Sequence, residues 1–547
     1  MTPEIKITNQ KANMRFKILI TAALAGMAFA SAQDWDDPTL DGRMSCTSIM
    51  VGKKASADGS VMTSHTCDGN YRTWVDIVPG ETYDTDTTVA VYTGRMHTDL
   101  AGGTRGMVKV GEIPQARKTY RFVNTAYPCL NEKQLGIGET TISGRSELRN
   151  KNGMFYIEEL ERLALQRCTT ARDAIKLMDK LTKEYGYGDD GECLTIADPN
   201  EVWHFEIFGE GPDKTGAVWA AVRIPDDHVG VSANVPRIST LNLADTANYM
   251  ASDNVYDVAK RMGFWDGKED FKFWKAYAGG NYFKEPKAYS VREYYILNKL
   301  APSLGLNQEM EELPVSVKPE KKLSAADVMY LLTETYEGSD LDPIGKMKVA
   351  RKTRGSEQVD SVISPYANPW MTGDMRALIN SLKPETSAGH RTVAVPQCSY
   401  STVIQLRDWL PDAVGGVVWL SFDNPGQSPR IPVFSGTTEL PMAFNVCGQW
   451  RNDPTSIVWK FREANKLATV KYGQTRDMMR KGFDHFVDKG QAEMPYVESR
   501  YASILSDSGE AEANAFLTGY TRDFAGSAVA YWDELAKKMW AMYCRAF

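Results

Sequence analysis

The chain has 547 residues, 43% hydrophobic and 10% aromatic with 13 Trp, enough apolar material for a sizeable core and too much for a disordered body. A formal net charge of -7 at pH 7 argues against nucleic acid as a partner. Eight cysteines at 46, 67, 129, 168, 193, 398, 447 and 544 contain no C-x-x-C pair, and the six histidines form no H-E-x-x-H motif. Neither a zinc site nor a thioredoxin-like motif is indicated, and one or two disulfides stay open.

The first element in the chain is a leader. From Met14 a charged Met-Arg-Phe-Lys run precedes an apolar stretch over 18–30 and the small-residue patterns Ala28-x-Ala30 and Ala30-x-Ala32. This is the order of a secretory signal peptide, over residues 1–32, with 1–13 as an extended n-region or an upstream start. No other run reaches the ~18 apolar residues a membrane span needs, so the mature chain is expected to be exported, periplasmic or extracellular, with no membrane contact after cleavage. Residues 33–45 are a short acidic segment, read as a propeptide.

Next comes a hairpin. Residues 47–51 are β-branched and apolar, Asp58-Gly59 is a turn dipeptide, and 61–66 can run back alongside. Cys46 stands at its mouth. If the chain is cut before Cys46, a free α-amine, which titrates near ~8, can take the proton from its own thiol, the logic of an N-terminal nucleophile. Two other readings of Cys46 stand beside this one. A lipidation cysteine should follow the apolar stretch directly, and Cys46 does not; a buried or disulfide-bonded cysteine is the plainer alternative. A hairpin centred near Ser56-Ala57 sets Cys46 opposite Cys67, whereas one centred on Asp58-Gly59 sets it opposite Tyr71 and rules that bridge out on distance.

The run Cys46-Thr47-Ser48-Ile49-Met50-Val51-Gly52-Lys53-Lys54-Ala55-Ser56, with Asp58-Gly59-Ser60 after it, resembles the mature N-terminus of the PepD-like cysteine dipeptidases. These belong to the N-terminal-nucleophile (Ntn) hydrolase superfamily, with penicillin V acylase and bile salt hydrolase as relatives. The resemblance implies that Cys46 is the nucleophile and that Asp68 helps hold its amine and the substrate. His65 stands where many members carry Arg, a departure that weakens a charged contact to substrate or makes it pH-dependent.

Residues 70–128 alternate apolar and polar positions with turns, and are expected to add strands to a sheet. In Asn131-Glu132-Lys133-Gln134 the resemblance implies an oxyanion role for the Asn131 amide, a neutral donor aimed at developing charge. Gly136-x-Gly138 lacks the third glycine and the following helix of a nucleotide fingerprint. Two helices are expected within 154–187, the second opened by a Thr170-x-x-Asp173 cap, with Cys168 in the core. Strands follow at 194–197 and 202–207 around the turn 198–201. In the segment 219–238 the resemblance implies that Asn234 lies beside the nucleophile's amine and the oxyanion; Arg237 could pair with a substrate carboxylate through its bidentate fork. Residues 240–350 read as an insertion packed on the core. Tyr336-Glu337-Gly338-Ser339 and Pro365-Tyr366-Ala367-Asn368-Pro369 resemble family loops read as lid or pocket pieces. Strands return at 393–396, 400–406 and 415–420, and the tail from Pro454 is helical with an aromatic stripe suited to core or dimer contact.

The residues alone reach an α+β fold. The resemblance, which runs from Cys46 to about Leu440, implies the four-layer αββα sandwich of the Ntn hydrolases over 46–440, with a helical insertion at about 240–350 and a helical C-terminal extension over 441–547. It also implies a self-processing dipeptidase with Cys46, Asp68, Asn131 and Asn234 as catalytic residues; the leader makes it a secreted one, and His65 and Arg237 are expected at the substrate. A small peptide is then the substrate, no cofactor or metal is needed, and a homo-oligomer is left open. An acylase or amidase of the penicillin V acylase or bile salt hydrolase type would share the catalytic residues, and a non-enzymatic exported binding protein would keep the segment ahead of Cys46.

Overall fold

Strand alternation at the Cys46 hairpin sets up the centre of the molecule. In the computed structural model, which describes residues 45–212, 214–279, 287–352, 355 and 357–544, strand Ser45–Val51 pairs antiparallel with Val61–Asp68. Cys46 is opposite Cys67 and Val51 opposite Met62, so the register is the one centred near Ser56-Ala57. Both cysteines are nonetheless free thiols. The signal peptide and nearly all of the propeptide fall outside the described residues.

The protein is a mixed α/β structure built on two large antiparallel sheets. The first has seven strands in the order Ser316–Val317, Val229–Ser232, Ser45–Val51, Val61–Asp68, Cys398–Leu406, Val417–Phe422 and Ile431–Phe434. The second has eight, in the order Tyr249–Ala251, Ala217–Arg223, Val202–Gly209, Gly191–Ala197, Gly136–Thr141, Leu130–Asn131, Phe122–Asn124 and Asp76–Val78. The hairpin strands lie at the middle of the first sheet and Gly136–Thr141 near the middle of the second.

Successive strand residues point to opposite faces, and here the two faces meet different partners. Ser48 donates to the Glu139 carbonyl and Met50 joins the core shared with the second sheet, whereas Ile49 and Val51 join a separate core with residues of helices Val291–Leu300 and Ala325–Leu331. The sheets meet through small polar side chains: Thr63 Oγ1 is 2.6 Å from Thr195 Oγ1. A Cβ at Gly138 would lie 2.3 Å from the Ser64 carbonyl oxygen and 2.6 Å from Thr195 Oγ1, so this glycine of the Gly136-x-Gly138 pair is there for close approach of the sheets.

Most expected elements appear within a few residues of their expected bounds. The helical pair is Ile157–Arg167 and Ala171–Tyr185, the second capped by Thr170 accepting from the Asp173 amide. The tail forms helices Ile457–Val470, Tyr472–Ser508 and Glu510–Tyr543. One expectation fails: residues 393–396 form no strand. Their backbone is held by loops, with the Ala394 amide donating to the Glu334 carbonyl and the Ala394 carbonyl accepting from Trp370 Nε1 and Thr392 Oγ1, and Pro396 brings no amide to a ladder. The region read as an insertion supplies both an edge strand, Ser316–Val317, and helix Val291–Leu300 packed against the hairpin. Among the described residues no helix is long and apolar enough to cross a membrane.

Candidate active site

Alternation places the Cys46 thiol on the face turned toward the second sheet, and that sheet answers with a carboxylate. Cys46 Sγ donates to Glu139 Oε2 at 3.4 Å, and Thr141 Oγ1 donates to Glu139 Oε1 at 2.9 Å. His65, on the neighbouring strand and the same face, has Nε2 3.3 Å from Glu139 Oε2, short of hydrogen-bond geometry. Its ring is fixed edge-on between Tyr127 and Tyr400. All three groups are buried, and their ligating atoms lie within 4.8 Å of one another.

The backbone of Cys46 is held as closely as its side chain. Its amide nitrogen donates to Asn234 Oδ1 at 2.7 Å, and its carbonyl accepts from Arg292 Nη1. Arg292 also donates to Thr47 Oγ1 at 3.0 Å, the Ala233 carbonyl at 3.0 Å and Asn234 Oδ1 at 2.9 Å. Asn234 in turn donates through Nδ2 to the Thr141 carbonyl at 2.7 Å. It sits just past strand Val229–Ser232 with φ 64°, a left-handed conformation that asparagine tolerates better than most residues.

Asp68 occupies the other side. Pairing sets it opposite Ser45, and its Oδ2 accepts from Arg391 Nη2 at 2.6 Å and Thr66 Oγ1 at 2.8 Å. Its Oδ1 is buried without a partner. Arg391 also donates to Ser45 Oγ, from Nη2 at 2.9 Å and Nε at 3.2 Å. Tyr336, buried with φ 66°, donates its hydroxyl to the Arg391 carbonyl at 2.7 Å.

Burial pushes the Cys46 thiol well above its usual range, and the charges of Glu139, Cys67 and Asp68 push it further the same way. With its amide still in the peptide bond to Ser45, Cys46 is therefore held as a thiol whose hydrogen bond goes to the Glu139 carboxylate. Burial and the Glu139 charge likewise raise Glu192, the partner of Thr141 in the adjoining strand pair.

The structure thus gathers Cys46, His65, Asp68 and Asn234 around one point, and gives Asn131 and Arg237 other partners than those expected of them. Asn131 Nδ2 donates to the Leu165 and Cys168 carbonyls at 2.8 and 2.9 Å, and its Oδ1 accepts from the Lys133 and Leu135 amides. It closes its own turn and caps the C-terminus of helix Ile157–Arg167, whose last carbonyls have no partners within the helix. Arg237 is buried, with its guanidinium donating to the Ala288, Leu313 and Pro314 carbonyls and Nε 3.8 Å from Glu293.

The thiol, amide and carbonyl of Cys46 are thus each held by a separate element, and comparison with known proteins supplies the family. The model of the family described as Peptidase family C69 matches residues 45–484, so the match begins one residue ahead of Cys46. The chain belongs to peptidase family C69. Curated relatives of this C69 peptidase include a probable dipeptidase of Latilactobacillus sakei, 26% identical over 88% of this chain and 91% of that one. A probable dipeptidase of Salmonella dublin is 25% identical over 72% and 81%, and dipeptidase A of Lactobacillus helveticus 21% over 79% and 82%.

Three residues of this C69 site have no local signature in the sequence. Glu139 arrives from the second sheet, Arg292 from helix Val291–Leu300, and Arg391 from the loop ahead of strand Cys398–Leu406. A buried arginine is the one general hint, since such a charge needs acceptors. A cleft of about 370 Å³ lined by Glu337, Trp370 and Arg476 does not include Cys46, which is 0% exposed.

Proposed function

We propose that this C69 peptidase is an exported dipeptidase whose nucleophile, Cys46, becomes the N-terminal residue when the chain cleaves itself after Ser45. The observation that carries the reading is the hydrogen bond from the Cys46 amide to Asn234 Oδ1 at 2.7 Å, which holds the nitrogen that would become the catalytic base. The names of the relatives supply the substrate class, and the two stacked sheets with helices against them support the four-layer αββα sandwich of the Ntn hydrolases.

Processing begins with attack of Cys46 Sγ on the Ser45 carbonyl carbon. The acyl group passes from nitrogen to sulfur, the freed amine takes the thiol proton, and water hydrolyses the thioester to leave a carboxylate on Ser45. Arg391, which grips the Ser45 hydroxyl, and Asn234, which grips the nitrogen, hold the two sides of that bond. The new ammonium meets Asn234 Oδ1 and the unpartnered Asp68 Oδ1. Loss of Ser45 releases the Arg391 donors toward the space an incoming substrate takes.

In turnover the amine draws the proton from Sγ, which attacks the peptide carbonyl of the dipeptide. Asn234 and Arg391 stabilise the oxyanion, the amine passes its proton to the leaving amino group, and water releases the acyl-enzyme. The buried, high-pKa thiol explains why the base must be so close.

A panel of dipeptides and N-acyl amides assayed on purified protein tests this reading. Dipeptide hydrolysis is expected to dominate, and Cys46→Ala is expected to lose both self-cleavage and at least ~10⁴-fold of turnover. Preferential hydrolysis of acyl amides, or turnover surviving in Cys46→Ala, would contradict it.

A further inference from the structure

We propose that Cys46 Sγ, His65 Nε2 and Glu139 Oε2 form a binding site for a thiophilic divalent cation of the Zn²⁺ class, whose occupancy reversibly shuts the enzyme off. For the three side chains the proposal is independent of processing; for a fourth donor, the Cys46 α-amine, it rests on the function proposed above.

The spacing carries the argument. A tetrahedral zinc ion with Zn–S of about 2.3 Å and Zn–N or Zn–O of about 2.0 Å sets sulfur and oxygen about 3.5 Å apart and nitrogen and oxygen about 3.3 Å apart. In this site Cys46 Sγ is 3.4 Å from Glu139 Oε2, and His65 Nε2 is 3.3 Å from the same oxygen. The third edge lies within 4.8 Å. Two of three edges therefore already have the dimensions of a coordination polyhedron.

A second observation points to a ligand. His65 Nε2 is buried without a hydrogen-bond partner while the ring is held edge-on by Tyr127 and Tyr400. An unpartnered buried nitrogen aimed at a carboxylate and a thiol is a costly arrangement that a cation resolves. The ion would also offset the mutual repulsion of a Cys46 thiolate and Glu139. Thr141 Oγ1 on Glu139 Oε1 orients the carboxylate from behind, as partners of metal ligands commonly do.

The set is soft and mixed, one sulfur, one imidazole nitrogen and one carboxylate oxygen, which favours Zn²⁺ or Cd²⁺ over Mg²⁺ or Ca²⁺. Once Cys46 is N-terminal, its amine and sulfur close a five-membered chelate ring on the ion and complete four donors. Nucleophile and base are then both occupied, so the bound cation competes with substrate.

The test is Co²⁺ and Zn²⁺ titration of the chelator-treated full chain, with intact mass measured on the same sample. One ion per chain is expected, with a thiolate-to-Co²⁺ absorption band that Zn²⁺ abolishes. Affinity should fall at least ~100-fold in both His65→Ala and Glu139→Gln, and the band should vanish in Cys46→Ser. Absence of the band in wild type, or affinities equal to wild type in both His65→Ala and Glu139→Gln, would overturn the site. A chain that still carries Ser45 and binds the ion upholds the site while contradicting the processing scheme. A chain that begins at Cys46 and binds none does the reverse.

Discussion

Cys46, Asp68 and Asn234 were legible as candidates through the family resemblance, because each belongs to a short segment that can be matched locally: a strand mouth, a strand end, a post-strand turn. Glu139, Arg292 and Arg391 were not, since each reaches Cys46 or Asp68 only through long-range packing of the sheets, a helix and a loop. Asn131 shows the opposite failure. Its turn was legible, but the destination of its side chain depends on a helix end brought up by the fold. The structure gives it four hydrogen bonds, to Leu165, Cys168, Lys133 and Leu135. Asn131→Ala is therefore expected to cost about 2–4 kcal/mol of stability, since it leaves buried backbone groups unpaired. Denaturant unfolding and steady-state kinetics on the folded enzyme separate the roles: a lowered midpoint with kcat within a few fold of wild type fits a structural residue, and a ~10²-fold or larger loss of kcat at unchanged stability would return Asn131 to the oxyanion.

At the scale of elements, helix Ile157–Arg167 was legible from its apolar spacing, but the burial of its first turn was not. Glu158 lies in that turn and is 1% exposed. Burial, followed by the nearby charge of Asp189, raises its carboxyl from the ordinary 4.5 to about 8. Glu158 is thus protonated in the folded chain where it is ionised in the unfolded one. Below 4.5 both states hold the proton and no penalty exists; as pH rises to about 8 the penalty grows to its full size and then stays constant. Thermal unfolding of wild type and Glu158→Gln across this window reads the effect. The variant is expected to gain Tm over wild type increasingly from about pH 4 to about pH 9. A pH-independent difference would mean the carboxyl is ionised in the folded state. The lost strand at 393–396 teaches a related lesson, because an apolar run marks burial, and loops can bury it as well as a sheet.

For the whole molecule, periodicity identified the C-terminal aromatic stripe as packing material but could not say what it packs on. Trp532 of helix Glu510–Tyr543 is fully buried, meets Phe461 edge-on, and donates to the Gln427 carbonyl at 3.1 Å and Asn465 Oδ1 at 3.3 Å. It shares one core with strand residues of both sheets. Trp532→Ala is expected to cost about 3–5 kcal/mol in unfolding while leaving KM of the folded fraction unchanged; a change below about 1 kcal/mol would mean the tail is not part of that core. The proposed chemistry turns on one covalent fact, the state of the nitrogen now held by Asn234. Intact-mass measurement of purified, fully active protein, confirmed by N-terminal sequencing, decides it. The mass of a chain whose first residue is Cys46 is predicted; full activity in a chain that still carries Ser45 or any residue before it would contradict the mechanism.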